Sequence, residues 1–311
     1  MTPVAQWTSV SKHYGKVAAV EDVSLALHPG EATALVGHNG AGKTTLIKLL
    51  LGLIHPTRGS VTVLGVDPAG RQGAQARRAL GFLPENVAFH GAMTGTELMK
   101  FYAQLKGQPV ARNLDLLARV GLAEAADRRV STYSKGMRQR LGLAQTLIGD
   151  PRLLLLDEPT SGLDPASRAE VFDMIDALRA DGATILVSTH ALAEVGERVD
   201  KVAVLHKGGL LHAGSLADLR RETGAETRMR LRVQTCTTGT VLKDLPDGVR
   251  CASRDATHLE LFVPGDRKMA VLRQLTDMPN VEDVEMTTPG LEELYRRLVA
   301  DKLVAGKEAA R

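Results

Sequence analysis

The chain opens with short apolar runs punctuated by glycine and proline. Val4 to Val10, Ala18 to Leu27, Ala32 to Val36 and Ser60 to Val63 read as strands, with breaks at Pro29-Gly30 and His55-Pro56. Gln75 to Leu80 leads into a further strand-like run, Gly81-Phe82-Leu83. From 94 to 147 the texture shifts to Leu, Ala, Arg and Glu at helical spacing, broken at Gly107-Gln108-Pro109 and at Gly121. Beyond 152, strand and helix alternate. Leu153 to Leu156 is a buried strand, Ser167 to Ala180 an amphipathic helix, and Thr184 to Val187 another buried strand. Fully apolar strands that alternate with helices predict a parallel sheet covered on both faces.

The pattern changes again near Gly224. Residues 228–235 alternate, with Met229, Leu231 and Val233 against Arg228, Arg230 and Arg232, as in a half-exposed strand. His258 to Val263 reads as a second strand and Arg267 to Asp277 as a helix. Val281 to Met286 is a last strand and Leu291 to Leu303 a last helix. A small α+β domain of ferredoxin-like type fits these elements. The expected division is therefore a first domain over 1–222, with a helical part at about 86–150, a second over 225–303, and a tail over 304–311, frayed from Gly306. A length of 311 residues supports two domains.

Composition narrows the classes. The net charge of +3 is too weak to argue for nucleic acid, and 3% aromatic residues argue against a base-stacking platform. Cys236 and Cys251 are too few for a disulfide scaffold and too far apart for a C-x-x-C site, so they read as reduced thiols. The histidines show no metal-site pairing. Met1 to Trp7 lacks the features of a signal peptide. No window reaches the roughly 18 apolar residues that a membrane helix needs; Leu49 to Ile54 and Leu153 to Leu156 are core-sized. If the chain serves a membrane, another chain is expected to supply the span.

The candidate chemistry starts at Gly37-His38-Asn39-Gly40-Ala41-Gly42-Lys43-Thr44, which fills the pattern G-x-x-x-x-G-K-[ST]. An apolar strand precedes it, and Thr45 to Leu51 follows as a helix. The glycines let successive N–H groups curl inward into an anion nest, and the helix adds its positive end there. Lys43 would reach the outer phosphates of a nucleotide, and the Thr44 hydroxyl would hold Mg²⁺.

Leu153-Leu154-Leu155-Leu156-Asp157-Glu158 ends an apolar strand in two carboxylates. Asp157 at the strand tip would bind Mg²⁺. Glu158 is expected to point the other way by strand alternation, free to orient or deprotonate an attacking water. In Tyr133-Ser134-Lys135-Gly136-Met137, a Ser-x-Gly turn opens a helix and offers a second anion site. Ser161-Gly162-Leu163-Asp164 follows Glu158, and His190 follows the strand over 184–187. Alone, His190 reads as a loop histidine; at a strand end its imidazole can hydrogen-bond a terminal phosphate.

Together these motifs, in this order over residues 4–220, resemble the nucleotide-binding subunits of ABC transporters. The resemblance implies an α/β P-loop NTPase cassette with a parallel core sheet, an antiparallel N-terminal sheet and a helical subdomain. Gly37 to Thr44 would be the Walker A loop, with Thr45 beside it also binding ATP, and Asp157 and Glu158 Walker B with the catalytic carboxylate. Ser134, Lys135, Gly136 and Met137 would be the signature, Ser161 to Asp164 the D-loop and His190 the switch histidine. Tyr14 would stack on adenine, or else pack at its strand end. The implied cofactors are ATP and Mg²⁺. The implied assembly is a head-to-tail homodimer in which each ATP lies between one protomer's phosphate loop and the other's signature turn.

Two positions depart from that family's pattern. Glu85, in Gly81-Phe82-Leu83-Pro84-Glu85-Asn86, stands where the family usually has glutamine, so an oxygen for the Mg²⁺ shell remains and an amide donor is lost. Lys135 and Met137 replace usual signature residues, which bears on turn geometry and partner contact.

The segment around Glu85 to Phe101 would touch a membrane permease, or its Phe89, Met93 and Phe101, with the adjoining Tyr102, would simply pack the helical part. A narrower resemblance rests on Gly81 to Phe89, Val130 to Gln145 and the small C-terminal domain. It is to ATPase subunits of transporters that serve maturation of nitrous oxide reductase, a copper enzyme. This implies a NosY-like permease, a NosD-like periplasmic partner and a place on the cytoplasmic face of the inner membrane. The alternatives are an ABC exporter ATPase of unrelated cargo, or a soluble ABC-type ATPase acting on DNA or the ribosome, though the latter usually carries coiled-coil insertions, a zinc hook or paired cassettes. The domain over 225–303 reads as regulatory or dimerising, or as a stabilising appendage.

Overall fold

A computed structural model describes residues 2–234, 245–246, 248–255 and 257–308. The chain forms two compact units, Met1–Ala213 and Gly214–Arg311. The expected boundary at 222–225 lies one helix beyond this division.

In the first unit the order is β1 (Ala5–Tyr14), β2 (Val17–Leu27), β3 (Ala32–Val36), α1 (Lys43–Leu50), β4 (Arg58–Val63), α2 (Gly73–Arg78) and β5 (Leu80–Leu83). Then come α3 (Gly95–Leu105), α4 (Val110–Arg119), α5 (Lys135–Thr146), β6 (Leu153–Asp157), α6 (Pro165–Ala180), β7 (Ile185–Thr189), α7 (Leu192–Val195), β8 (Lys201–His206) and β9 (Gly209–Gly214). A six-stranded sheet has the order β5-β6-β7-β3-β8-β9, and its pairs from β5 to β8 are parallel. Lys207 (φ 47°) and Gly208 (φ 84°) make the two-residue turn between β8 and β9, the conformation that tight hairpins require. A separate antiparallel sheet has the order β2-β1-β4.

Every residue of β3, β6 and β7 is buried, which is why these strands carry no polar alternation. One core joins Leu35, Leu153, Leu155, Leu186 and Leu205 to Leu46, Ile47 and Leu50 of α1 and to Trp7, Val23, Leu27 and Val63 of the antiparallel sheet. Trp7 is fully buried, and its indole N–H donates to Leu46 O at 3.3 Å, so the largest side chain in this core leaves no orphan donor. The parallel strands β3, β5, β6 and β7 thus aim their C-terminal ends at one edge, where open α/β sheets bind ligands.

The helices α3, α4 and α5 occupy the expected helical part. Thr94 caps α3 in a capping box: its hydroxyl accepts from Glu97 N at 3.1 Å, and its own N–H donates to Glu97 Oε2 at 2.8 Å. This helix buries Leu98, Met99 and Ala103 but leaves Phe101 and Leu105 exposed one turn apart.

The second unit contains α8 (Leu216–Glu222), β10 (Glu226–Val233), β11 (Arg250–Arg254), β12 (His258–Pro264), α9 (Lys268–Thr276), β13 (Val281–Thr287) and α10 (Leu291–Glu308). Its sheet is antiparallel in the order β11-β12-β10-β13, the strand order of a ferredoxin-like split βαβ unit. Met229, Leu231 and Val233 pack with Leu259, Leu261, Val263, Val271 and Leu275. Arg228, Arg230 and Arg232 stand on the other face against Glu260, Glu285 and Glu282, as the alternation predicts.

Two expectations change here. The edge strand β11 is polar and carries no apolar signal, so the pattern does not announce it. The tail expected to fray from Gly306 is helical to Glu308, continuing a helix anchored by buried Leu291, Leu294 and Leu298. Cys251 is exposed on β11; Cys236 and residues 309–311 lie outside the described residues. Among the described residues no helix is long and apolar enough to cross a membrane.

Candidate active site

The loop over residues 37–42, the candidate phosphate loop, joins β3 to α1, and its shape depends on two glycines. A Cβ at Gly37 would sit 2.5 Å from Leu205 O, so the strand end must be bare to pass β8. Gly42 has φ 105° and would meet Ala19 O at 2.6 Å. No L side chain suits that conformation. Gly42 is also the N-cap of α1 and offers no capping side chain, so the first amides of α1 have no side-chain partner.

Lys43 is the first residue of α1 and only 7% exposed. Its Nζ donates to Gly37 O at 2.7 Å and lies 3.2 Å from Glu158 Oε1. A buried ammonium without such partners would be strongly destabilising. Thr44 Oγ1 donates to Asp157 Oδ1 at 3.4 Å, and Ser188 Oγ donates to the same oxygen at 2.5 Å.

Glu158 corrects an expectation. β6 ends at Asp157, and Glu158 takes a left-handed backbone, φ 49°, so strand alternation does not carry through it. Both carboxylates therefore address the phosphate loop. Glu158 Oε2 lies 2.7 Å from His190 Nδ1 and accepts from the His190 backbone N–H at 3.3 Å. Its own N–H donates to Ser188 O and Ser188 Oγ at 3.1 and 3.0 Å, so strained backbone is held by two acceptors on β7.

These residues frame a cleft of about 500 Å³. Asn39 to Thr45, Glu85, Glu158, Ser161 and His190 line it, together with Val17, Ala18 and Ala19 from the start of β2. The volume suits a small ligand. The floor of amides at the positive end of α1, with one buried ammonium, suits an anion. Thr44 and Glu85 line the cleft, and the Thr44 hydroxyl bonds the buried Asp157 carboxylate, which does not itself line it, so hard oxygens lie side by side there. That donor set fits Mg²⁺, which takes a few protein oxygens and keeps water or phosphate for the rest.

Not all predicted site residues line this cleft. Tyr14 is 49% exposed, so it is not packed at its strand end, and the Lys12 ammonium lies 5.2 Å from its ring centroid. Ser134 is the N-cap of α5, and its Oγ accepts from Met137 N at 3.1 Å. The turn thus keeps regular cap geometry despite Lys135 and Met137. It packs on α6 and the turn before it in its own chain: a Cβ at Gly136 would meet Ser167 Oγ at 2.6 Å, and the Lys135 ammonium lies against Gly162. Asp164 is the N-cap of α6, accepting from Ser167 N at 3.0 Å and Ser167 Oγ at 2.7 Å. These bonds hold its carboxyl below the usual range.

Sequence reasoning missed three contributors. Ser188 joins both carboxylates, yet it shows only as a small polar residue after an apolar run. Tyr133 is buried and donates to Ala125 O at 2.7 Å, tying the Ser134 turn to the helical part; burial pushes its hydroxyl pKa up. His206 meets His38 of the phosphate loop edge to face, 5.1 Å between centroids. Burial, with His38 and Lys207 nearby, pushes His206 below its usual value and keeps that ring neutral near pH 7.

Residues 20–161 match the ABC transporter family model. An uncharacterized ABC transporter ATP-binding protein of Synechocystis sp. is 42% identical over 210 residues, 66% of this chain and 58% of that protein, so the chain spans less than two thirds of this relative. The daunorubicin resistance ATP-binding protein DrrA3 of Streptomyces coeruleorubidus is 32% identical over 299 residues, 93% of this chain and 94% of that protein. A solved structure described as the ATP binding subunit of an ABC transporter superposes with a TM-score of 0.65 at 32% identity, covering 71% of this chain and 93% of that one. The chain therefore belongs to the ABC transporter ATP-binding protein family, whose cassettes are ATPases.

Proposed function

We propose that the cleft binds Mg·ATP and hydrolyses it, and that hydrolysis energises transport by a membrane permease. The observation that carries this reading is the meeting of Lys43 and Glu158 at 3.2 Å beside the Thr44–Asp157 pair. Incoming phosphates would draw Lys43 away from Glu158, and His190 would retain the freed carboxylate. Glu158 then stands where a general base for the attacking water is needed, and the loop amides and Lys43 stabilise charge on the terminal phosphate. Thr44 and Asp157, with Glu85, would hold Mg²⁺; the ion neutralises phosphate charge when bound. Tyr14 would stack on the adenine.

The Ser134–Met137 turn lies outside the cleft of its own chain, as a head-to-tail homodimer would require: it would close on the partner's nucleotide. Phe101 and Leu105, exposed on α3, suit the contact with the permease, which would hold the chain peripherally at the cytoplasmic face of the membrane. No nucleic-acid role is proposed.

Two cargoes are carried by different observations. The segments Gly81 to Phe89 and Val130 to Gln145 favour a NosF-like role in nitrous oxide reductase maturation, with NosY-like and NosD-like partners. The similarity to the daunorubicin resistance protein DrrA3 along nearly the whole chain favours a role in drug resistance. Lys43→Ala tests the common core. It is expected to abolish Mg²⁺-dependent ATP binding and ATP-dependent dimerisation, read by equilibrium binding and sedimentation. Unchanged ATP affinity would refute the cleft as the nucleotide site.

A further inference from the structure

The second unit holds a cavity of about 510 Å³ that shares no residue with the nucleotide cleft. Its walls mix two chemistries. Ala217, Ala225, Pro264 and Pro289 are apolar, while Arg220, Arg221 and Lys268 bring three cations against the single carboxylate of Asp266. Arg221 is engaged by Asp218, and Arg220 Nε donates to Pro289 O at 3.3 Å. Lys268 makes no ion pair among the described residues.

Two further donors meet there. Thr227 lines the cavity on the core side of β10; it is 3% exposed, and its hydroxyl has no hydrogen-bond partner among the described residues. A hydroxyl that opens on the cavity from an otherwise buried residue is placed to bond an occupant. The helix α9 begins beside it with no side-chain cap on its first amides, where Gly265, Asp266 and Lys268 line the cavity. The last carbonyls of α8 are already taken, Arg220 O by Ala225 N at 3.0 Å and Arg221 O by Gly224 N at 3.2 Å, so they do not add unpaired acceptors.

We infer that this cavity binds a small organic anion that carries one phosphate group on a compact apolar body. The ammonium, guanidinium, hydroxyl and helix amides approach from several elements, which suits a tetrahedral group with three acceptor oxygens better than a two-oxygen carboxylate. The volume is that of a metabolite pocket, and the apolar walls suit a ring or short chain rather than bare phosphate. Asp266 opposes a second anionic group.

The test uses the full chain and 4-methylumbelliferyl phosphate as the probe, read by fluorescence anisotropy. It is run on the Lys43→Ala background, so that the phosphate loop does not contribute. Saturable binding is expected, competed by inorganic phosphate. Lys268→Gln should weaken it about tenfold, the worth of one charge-assisted bond. Thr227→Val preserves side-chain shape and should weaken it about threefold, near the lower end for a neutral hydrogen bond. The phosphate-free body, 4-methylumbelliferone, should bind at least about tenfold less tightly. Unchanged melting temperatures certify the fold, and Thr227→Val decides if Lys268→Gln is unstable. No saturable binding at millimolar probe overturns the inference, as does equal affinity in the folded variants or equal binding of the phosphate-free body.

Discussion

Ser188 is the residue that turns two adjacent carboxylates into one site. Its hydroxyl donates to Asp157 Oδ1 and accepts from Glu158 N, so a single side chain orients the metal-side oxygen and steadies the left-handed backbone of Glu158. Ser188→Ala keeps the Ser188 carbonyl as an acceptor for Glu158 N and costs about 1 kcal/mol of stability. Its larger effect falls on the metal. Loss of an outer-shell partner typically costs about tenfold or more in metal affinity or activity, so the Mg²⁺ concentration for half-maximal ATP turnover should rise by about that factor. A Mg²⁺ titration of turnover that superposes on that of the unaltered chain contradicts this. At this scale the motif residues were legible because their spacing is stringent. The orientation of Glu158 was not, because alternation holds only while the backbone stays extended, and φ 49° ends that rule one residue early.

The elements show the same division. β3, β6 and β7 could be read from apolar runs alone because both faces are covered. The start of α1 at Lys43 rather than Thr45 was less legible: its N-cap is Gly42, which offers no capping side chain to mark the boundary. The turn before α5 also depends on a tertiary contact. Gly136 is bare because Ser167 of α6 occupies the space its methyl would need. Gly136→Ala should therefore destabilise the cassette by about 1–3 kcal/mol, as overpacking does, and lower ATP turnover. Ser167→Gly removes the obstructing atoms and should restore part of both losses. A double-mutant cycle with no coupling between these positions would show that the contact does not set the turn.

On the scale of the whole molecule, each unit has its own cavity: the lining residues of the Lys43 cleft all lie in the first unit, and those of the Thr227 cavity in the second. The sheet of the second unit was legible from the Arg/apolar alternation of β10, whereas β11 was hidden by its polar edge sequence. If this unit dimerises or regulates the chain, a version ending at Ala213 should keep ATP binding but lose dimerisation or the control of turnover. Sedimentation and turnover equal to those of the full chain would make it a stabilising appendage instead.

Glu158 is the proposed general base of the cleft that holds Lys43 and Thr44. The most direct measurement is turnover and bound-nucleotide content of Glu158→Gln, which keeps the side-chain shape and removes the base. Loss of a general base typically costs about 10²–10⁴ in rate, so hydrolysis should fall by that factor while ATP, unhydrolysed, stays bound in a persistent dimer. Turnover near that of the unaltered chain would contradict the account.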